Sequence, residues 1–346
     1  MHLSAWWSAL SHYAITKCML WLVGIEELSR INPEEKADFI LDSLSRAGLD
    51  SAQLLGRCTF EPHPQSGLLE VSVSGGADSV ALLILAFLSN PNVRVWHLNH
   101  QLRPSSGHEA VFVQNLARAL SAEVEILRIE VEDGPNLEER ARDQRRAAFI
   151  DGVATGHTAD DLCETMIINL VRGSGPSGLG SMAPGPQHPI IDLRRAETEA
   201  ICLALSIEFV RDESNMDPRF LRNRVRNEVL PLLSEVSHRD VVPILSRTAH
   251  IFRQIANYIS SQADELDPTE AKGLAAADEI IATEAIRRWL TDERGHSISY
   301  ELAQDVLRVA RGEKGATDLP GAIRVRRSKG KLSKFAVGHA KPESSI

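Results

Sequence analysis

The stretch from residue 68 to residue 171 alternates short β-rich runs with helical ones, and this pattern constrains the fold most. Leu68–Val73 is rich in β-formers and leads into Ser74-Gly75-Gly76-Ala77-Asp78-Ser79. Val80–Leu88 follows, apolar on every side, as a buried helix would be. Val93–Leu98, Val124–Val131 and the very short Val153–Thr155 read as further strands. Gly107–Leu120, Leu137–Ile150 and Asp160–Val171 read as the helices between and after them. Strands alternating with helices imply βαβ units, hence an α/β fold with a doubly wound parallel sheet.

The flanks read differently. Residues 1–66 form an N-terminal extension, with a helix start at Asn32-Pro33-Glu34-Glu35 and a helix to about Arg46. Glu61–Gly67 is a linker with two prolines and a glycine. The nucleotide-binding domain is expected over 67–217 and a smaller helical domain over 218–312. In the latter, Leu245, Ala249, Phe252, Ala256 and Ile259 mark one apolar helix face. The tail, 313–346, is basic and could form a hairpin. Residues 3–25 are apolar, but Lys17 sits near their middle. A buried or partner-facing helix therefore fits them better than a membrane span, and no membrane partner is expected.

Charge and cysteine usage narrow the function. The 346-residue chain carries a net charge of −9, yet 219–227 holds four arginines and no acid, and 324–334 holds six basic residues and no acid. A local basic stripe is enough to bind nucleic acid. Arg219, Arg222, Arg224 and Arg226, with Asn223 among them, are the candidate nucleic-acid contacts. The four cysteines include no C-x-x-C pair, which argues against zinc ribbons and dithiol redox sites and suits a reducing compartment.

The loop Ser74–Ser79 carries the chemistry. Its glycines allow a tight turn and close approach to a ligand. The helix that follows points free N–H groups and a positive dipole end at the loop, which suits phosphate. Ser74 and Ser79 add hydroxyls. Asp78 would repel phosphate, so its sensible role is to hold Mg²⁺ that bridges the phosphates. In an open α/β sheet the loops after the strands share one rim, so Ser74–Ser79, Asn99-His100 and Gly156–Asp161 should converge. Asp160 and Asp161 begin a helix and could simply cap it; across the rim from Asp78, Asp161 is the favoured second Mg²⁺ ligand. His97 and His100 lie at a strand end, three residues apart and on opposite faces, which disfavours zinc. Arg142 and Arg145 share a helix face, and a guanidinium suits a developing negative charge.

The loop resembles the PP-loop of the ATP pyrophosphatase superfamily. Four further segments refine the resemblance: His97–Arg103, Asn136–Arg145, Ala154–Thr165 with Arg172–Gly175, and Asp212–Asp217 with Phe220 and Arg222–Arg226. In this order and spacing they are similar to the tRNA(Ile)-lysidine synthetase family, well over 68–235 and weakly through about 335. The resemblance implies an ATP-dependent ligase that adenylates C2 of the wobble cytidine in the CAU anticodon of an isoleucine tRNA and joins lysine there. It implies Ser74, Gly75, Gly76, Ala77, Asp78, Ser79, Asn99, His100, Gly156 and His157 around ATP, with Asp78, Arg142 and Asp161 catalytic and Mg²⁺ on Asp78 and Asp161. It also implies a cytoplasmic location and allows a homodimer. The sequence departs from the pattern at Thr158, Leu162, Arg146 and His188, and the connection before Val153 is short. A tRNA thiolase or a non-catalytic ATP-binding regulator on the same fold are the alternatives.

Overall fold

A computed structural model describes residues 23–99, 106–128, 152–210, 217–292, 295 and 297–336. The expected sites at His100 and Arg142, the expected helix over 137–150 and the apolar segment before residue 23 lie outside these. Among the described residues no helix is long and apolar enough to cross a membrane.

The chain divides into two compact units, Met1–His250 and Ile251–Ile346. The first opens with helices α1 (Val23–Arg30), α2 (Lys36–Arg46) and α3 (Ser51–Leu55). Pro33 begins a single 3₁₀ turn before α2, and Gly48 ends the helix region at φ +76°. Then come β1 (Leu69–Ser72), α4 (Ala77–Ser89), β2 (Val93–Asn99), α5 (Ser106–Ala119) and β3 (Glu123–Arg128). The strands pair in parallel in the order β1-β2-β3, with Leu69 opposite Val93 and Arg94 opposite Glu123. The short fourth run adds to the other side of β1 through a parallel bridge between Val71 and Ala154. The chain thus winds one way from β1 and then returns to pair on its far side. Such a reversal opens a crevice at the strands' C-terminal ends.

Helix α4 explains its own composition. All its residues from Ser79 to Phe87 are buried, so it can be apolar all round. The extension shares this core: Ile25, Leu28, Ile40, Leu44 and Leu54 pack in one cluster with Val71, Leu82 and Val95. Two further helices complete the crevice, α6 (Ala159–Val171) and α7 (Arg195–Ala204). Helical turns at Leu221–Arg224 and Val225–Val229 lead into α8 (Leu230–Ser237). Val225 and Leu230 pack against Ala159, Cys163 and Ile167, which seats this segment on α6. Helix α9 (Val242–Asp264) runs across the division between the units.

The second unit holds α10 (Ala271–Ala276), α11 (Glu279–Trp289) and α12 (Tyr300–Arg311). The basic tail is a three-stranded antiparallel sheet, β4 (Ala316–Leu319), β5 (Ile323–Ser328) and β6 (Lys331–Ala336). β5 and β6 pair as an antiparallel hairpin, and β4 extends it on the β5 side. Val325 and Leu332 point inward to a core with Ala303, Val306 and Leu307.

Candidate active site

The loop after β1 is organised by one hydroxyl. Ser79 Oγ accepts from the backbone N–H of Ser74 and of Gly75, both at 3.1 Å, and donates to the carbonyl of Gly76 at 2.9 Å. Its single proton is thereby committed, so in the 3.2 Å contact between the two hydroxyls Ser74 is the donor. Gly75 has φ +97°, a conformation in which a side chain is strained. Gly76 caps α4, and Ala77, Asp78 and Ser79 form its first turn. The N–H groups of that turn have no partner within the helix and face the crevice mouth.

Gly156 brings the opposite rim against this turn. A Cβ on Gly156 would sit 2.9 Å from the backbone carbon and oxygen of Asp78. His157 follows, its Nδ1 2.7 Å from Thr155 Oγ1, which also lies 2.9 Å from His188 Nδ1. The rings of His157 and His188 meet edge to face. Asn99, at the end of β2, is buried on the same rim. His97 Nδ1 lies 2.8 Å from the carbonyl of Val73, and burial lowers its pKa, so the ring is neutral and serves the sheet.

Asp78 and Asp161 face one another through arginine. Arg195 reaches Asp78 Oδ2 with Nε at 3.3 Å, Asp161 Oδ1 with Nη2 at 3.1 Å and Glu164 Oε1 with Nη1 at 3.3 Å. Thr198 Oγ1 contacts Asp78 Oδ1. Arg222 donates to Asp161 Oδ1 at 2.9 Å and Glu164 Oε2 at 2.7 Å. Arg226 donates to Glu164 Oε1 at 2.6 Å and Oε2 at 3.1 Å, and to Asp161 Oδ1 at 3.4 Å. Asp161 Oδ2 accepts from the N–H and the hydroxyl of Thr158, both at 2.9 Å, so the same carboxylate also caps α6.

These surroundings split the two aspartates. Burial pushes Asp78 up to about 6; Arg195 and Thr198 offset it in part, and the charge of Asp161 adds to it. Asp161 is more deeply buried, yet Arg195 and Arg222 hold its carboxyl far below the ordinary range. Asp161 is thus a fixed anion, whereas Asp78 carries a charge that its neighbours compensate poorly. A cation at Asp78 would supply that compensation. Among the described residues Asp78 accepts from Thr198 and Arg195, whereas Asp161 meets five donors, more than the roughly four lone-pair sites of a carboxylate. The donor set at Asp78 therefore fits Mg²⁺, and Asp161 joins it only with rearrangement.

Glu164, Arg195 and Thr198 are site residues that sequence reasoning did not assign. Glu164 is fully buried beneath three guanidiniums. Arg222 and Arg226 turn inward to Asp161 and Glu164. Arg219 and Arg224 stay exposed, paired with Asp217 and Glu228. Asn223 is buried and donates to the carbonyl of Asp217.

A cavity of about 240 Å³ adjoins the cluster, and its charged lining is Asp160, Glu164, Arg194, Arg195, Arg226 and Asp240.

Comparison with known proteins agrees with this geometry. A family model described as the PP-loop domain matches residues 51–233. The tRNA(Ile)-lysidine synthase of Rhodococcus erythropolis is 34% identical over 247 residues, which cover 67% of this chain and 75% of that protein. That of Cutibacterium acnes is 33% identical, covering 76% of this chain and 89% of that protein. That of Leifsonia xyli is 35% identical, covering 79% and 91% respectively. Built on a PP-loop ATP-binding domain, the chain belongs to the tRNA(Ile)-lysidine synthase family.

Proposed function

We propose that the chain joins lysine to the wobble cytidine of an isoleucine tRNA with a CAU anticodon, at the cost of ATP cleaved to AMP and pyrophosphate. The C2 oxygen of cytosine attacks the α-phosphorus, and the bond to pyrophosphate breaks. A neutral amine of lysine then adds at C2, and the C2–oxygen bond breaks as AMP departs with that oxygen. The observation that carries this reading is the loop Ser74–Ser79, set at the start of α4 and pressed by Gly156, within a chain of this family.

Each part has a physical role. The backbone of the loop and the first turn of α4 bind the phosphates. Asp78 would hold Mg²⁺, which would neutralise phosphate charge, and Asp161 would join as second ligand only after giving up some of its present donors. Asn99, Gly156 and His157 border the nucleotide; from the family resemblance alone, His100 would join them and Arg142 would stabilise the charge that develops at the reacting centre. Arg219 and Arg224, exposed beside the site, take tRNA phosphates. Unpaired anticodon bases can splay into a pocket.

A sulfur-transfer reaction would need a reactive thiol. Among the described residues, burial pushes Cys58, Cys163 and Cys202 up to about 12, so each of these three stays a protonated, poor nucleophile at neutral pH.

The test is to incubate the protein with Mg²⁺, ATP, lysine and a transcript of the tRNA, then read the nucleosides by mass spectrometry. A mass gain of lysine less water on the wobble cytidine is expected, with Asp78→Ala abolishing both it and pyrophosphate release. Pyrophosphate release without the gain would replace lysine by another nucleophile.

A further inference from the structure

Arg195 is the guanidinium that links the two aspartates of the site. Charge-assisted N–H···O bonds run to roughly 2.7–2.9 Å. Arg222 and Arg226 meet this standard on Glu164, at 2.7 and 2.6 Å. Arg195 makes three contacts of 3.1 to 3.3 Å, one from each nitrogen, to three different carboxylates. None is the paired, two-bond geometry that fixes a guanidinium. Its position is set from α7, whose first turn presents Arg195 and Thr198, three residues apart, to Asp78.

That guanidinium stands between Asp78 and Asp161. A divalent cation cannot share this ground with it, because the two would repel at contact distance. Withdrawal costs little elsewhere, since Glu164 and Asp161 keep Arg222 and Arg226. ATP would bring new phosphate charge to the same crevice and so offer the guanidinium an alternative partner.

We propose that Arg195 is the stand-in cation of the Mg²⁺ site: it bridges Asp78 and Asp161 and offsets the charge of Asp78 in part in the nucleotide-free protein, and is displaced when the metal enters with ATP. Arg195 is a positioning residue, acting through Asp78. The inference rests on the reading of Asp78 as a metal ligand, and its test needs neither tRNA nor lysine. Failure of the tRNA reaction would therefore leave it standing, and its own failure would leave that reaction untouched.

The experiment is a Mn²⁺ titration of the nucleotide-free full chain, followed by electron paramagnetic resonance. Arg195→Gln binds Mn²⁺ more tightly than wild type, by at least about tenfold, the scale of relieving one contact between like charges even at the screening of bulk water. Arg195→Lys keeps a cation in place and stays near wild type. Adding Asp78→Asn to Arg195→Gln removes the gain. A merely structural arginine predicts weaker or unchanged binding in Arg195→Gln, and either result overturns the proposal, as does a gain that survives Asp78→Asn. A second measurement needs no loss-of-charge variant. The Nε–H resonance of Arg195, identified by its loss in Arg195→Lys, should shift in wild type on adding Mg²⁺ with a non-hydrolysable ATP analogue. A resonance that does not move overturns the displacement.

Discussion

Asp78 and Asp161 have the same side chain, and each lies in the first turn of a helix, yet they hold opposite positions on the pH scale. Donor number explains the difference, and it has a consequence for stability. Asp78 is raised in the fold to about 6 from 3.8, chiefly by burial. A carboxyl group raised on folding costs nothing below its unfolded value, where both states are protonated. The cost grows between the two values and is complete above 6. Asp78→Asn removes it. The ligand-free variant should therefore exceed wild type in stability by about 1–3 kcal/mol at pH 8, with the difference vanishing near pH 4. Urea unfolding across that range checks this, and a gap independent of pH would contradict it. The same contrast shows what the sequence could tell. Asp78 and Asp161 stand in local patterns that announce them. The partners that differentiate them, Arg195 and Thr198, lie 117 and 120 residues from Asp78, and no local pattern reports such a distance.

At the scale of elements, periodicity located β1, β2, β3, α4, α5 and α6 to within a few residues of their observed bounds, because β1, β2, α4 and α6 are largely buried and apolar while β3 and α5 carry apolar residues among polar ones at their element's period. Helix α7 escaped notice for a physical reason. Its apolar anchors, Ile201 and Cys202, cluster at its C-terminal end, and its first turn is polar because it faces the site. Among the described residues the fourth run pairs with β1 through Val71 and Ala154, and Gly156 just beyond it presses the rim against α4. Gly156→Ala would force the rim away from α4 or strain it, at about 1–3 kcal/mol for an overpacked contact. ATP affinity, measured by calorimetry, should fall at least about fivefold on that scale. Gly175→Ala, where an added Cβ meets nothing within 4 Å, should leave it unchanged.

The whole molecule sets a net acidic chain against locally basic surfaces. On the β5–β6 face Arg326 lies over the ring of the exposed Phe335, 5.3 Å from its centre, with Ser333 directly opposite Arg326 in the pairing. If this face contacts tRNA phosphate, Arg326→Ala and Lys331→Ala should each lower the slope of log affinity against log salt by about one, without altering ATP binding. Filter binding over a range of salt concentrations measures the slope; an unchanged slope in both would remove this sheet from the interface. The first unit has a different coherence. Glu164 gathers arginines from α7 and from the segment before α8 onto one buried carboxylate. Loss of that carboxylate strands three like charges together, and loss of Arg222 or Arg226 removes one of its two shortest bonds. Positions 164, 222 and 226 are therefore not independent letters. A lineage that changes one must pass through a poorly balanced intermediate, so these three should be inherited as a block while the helices that carry them drift.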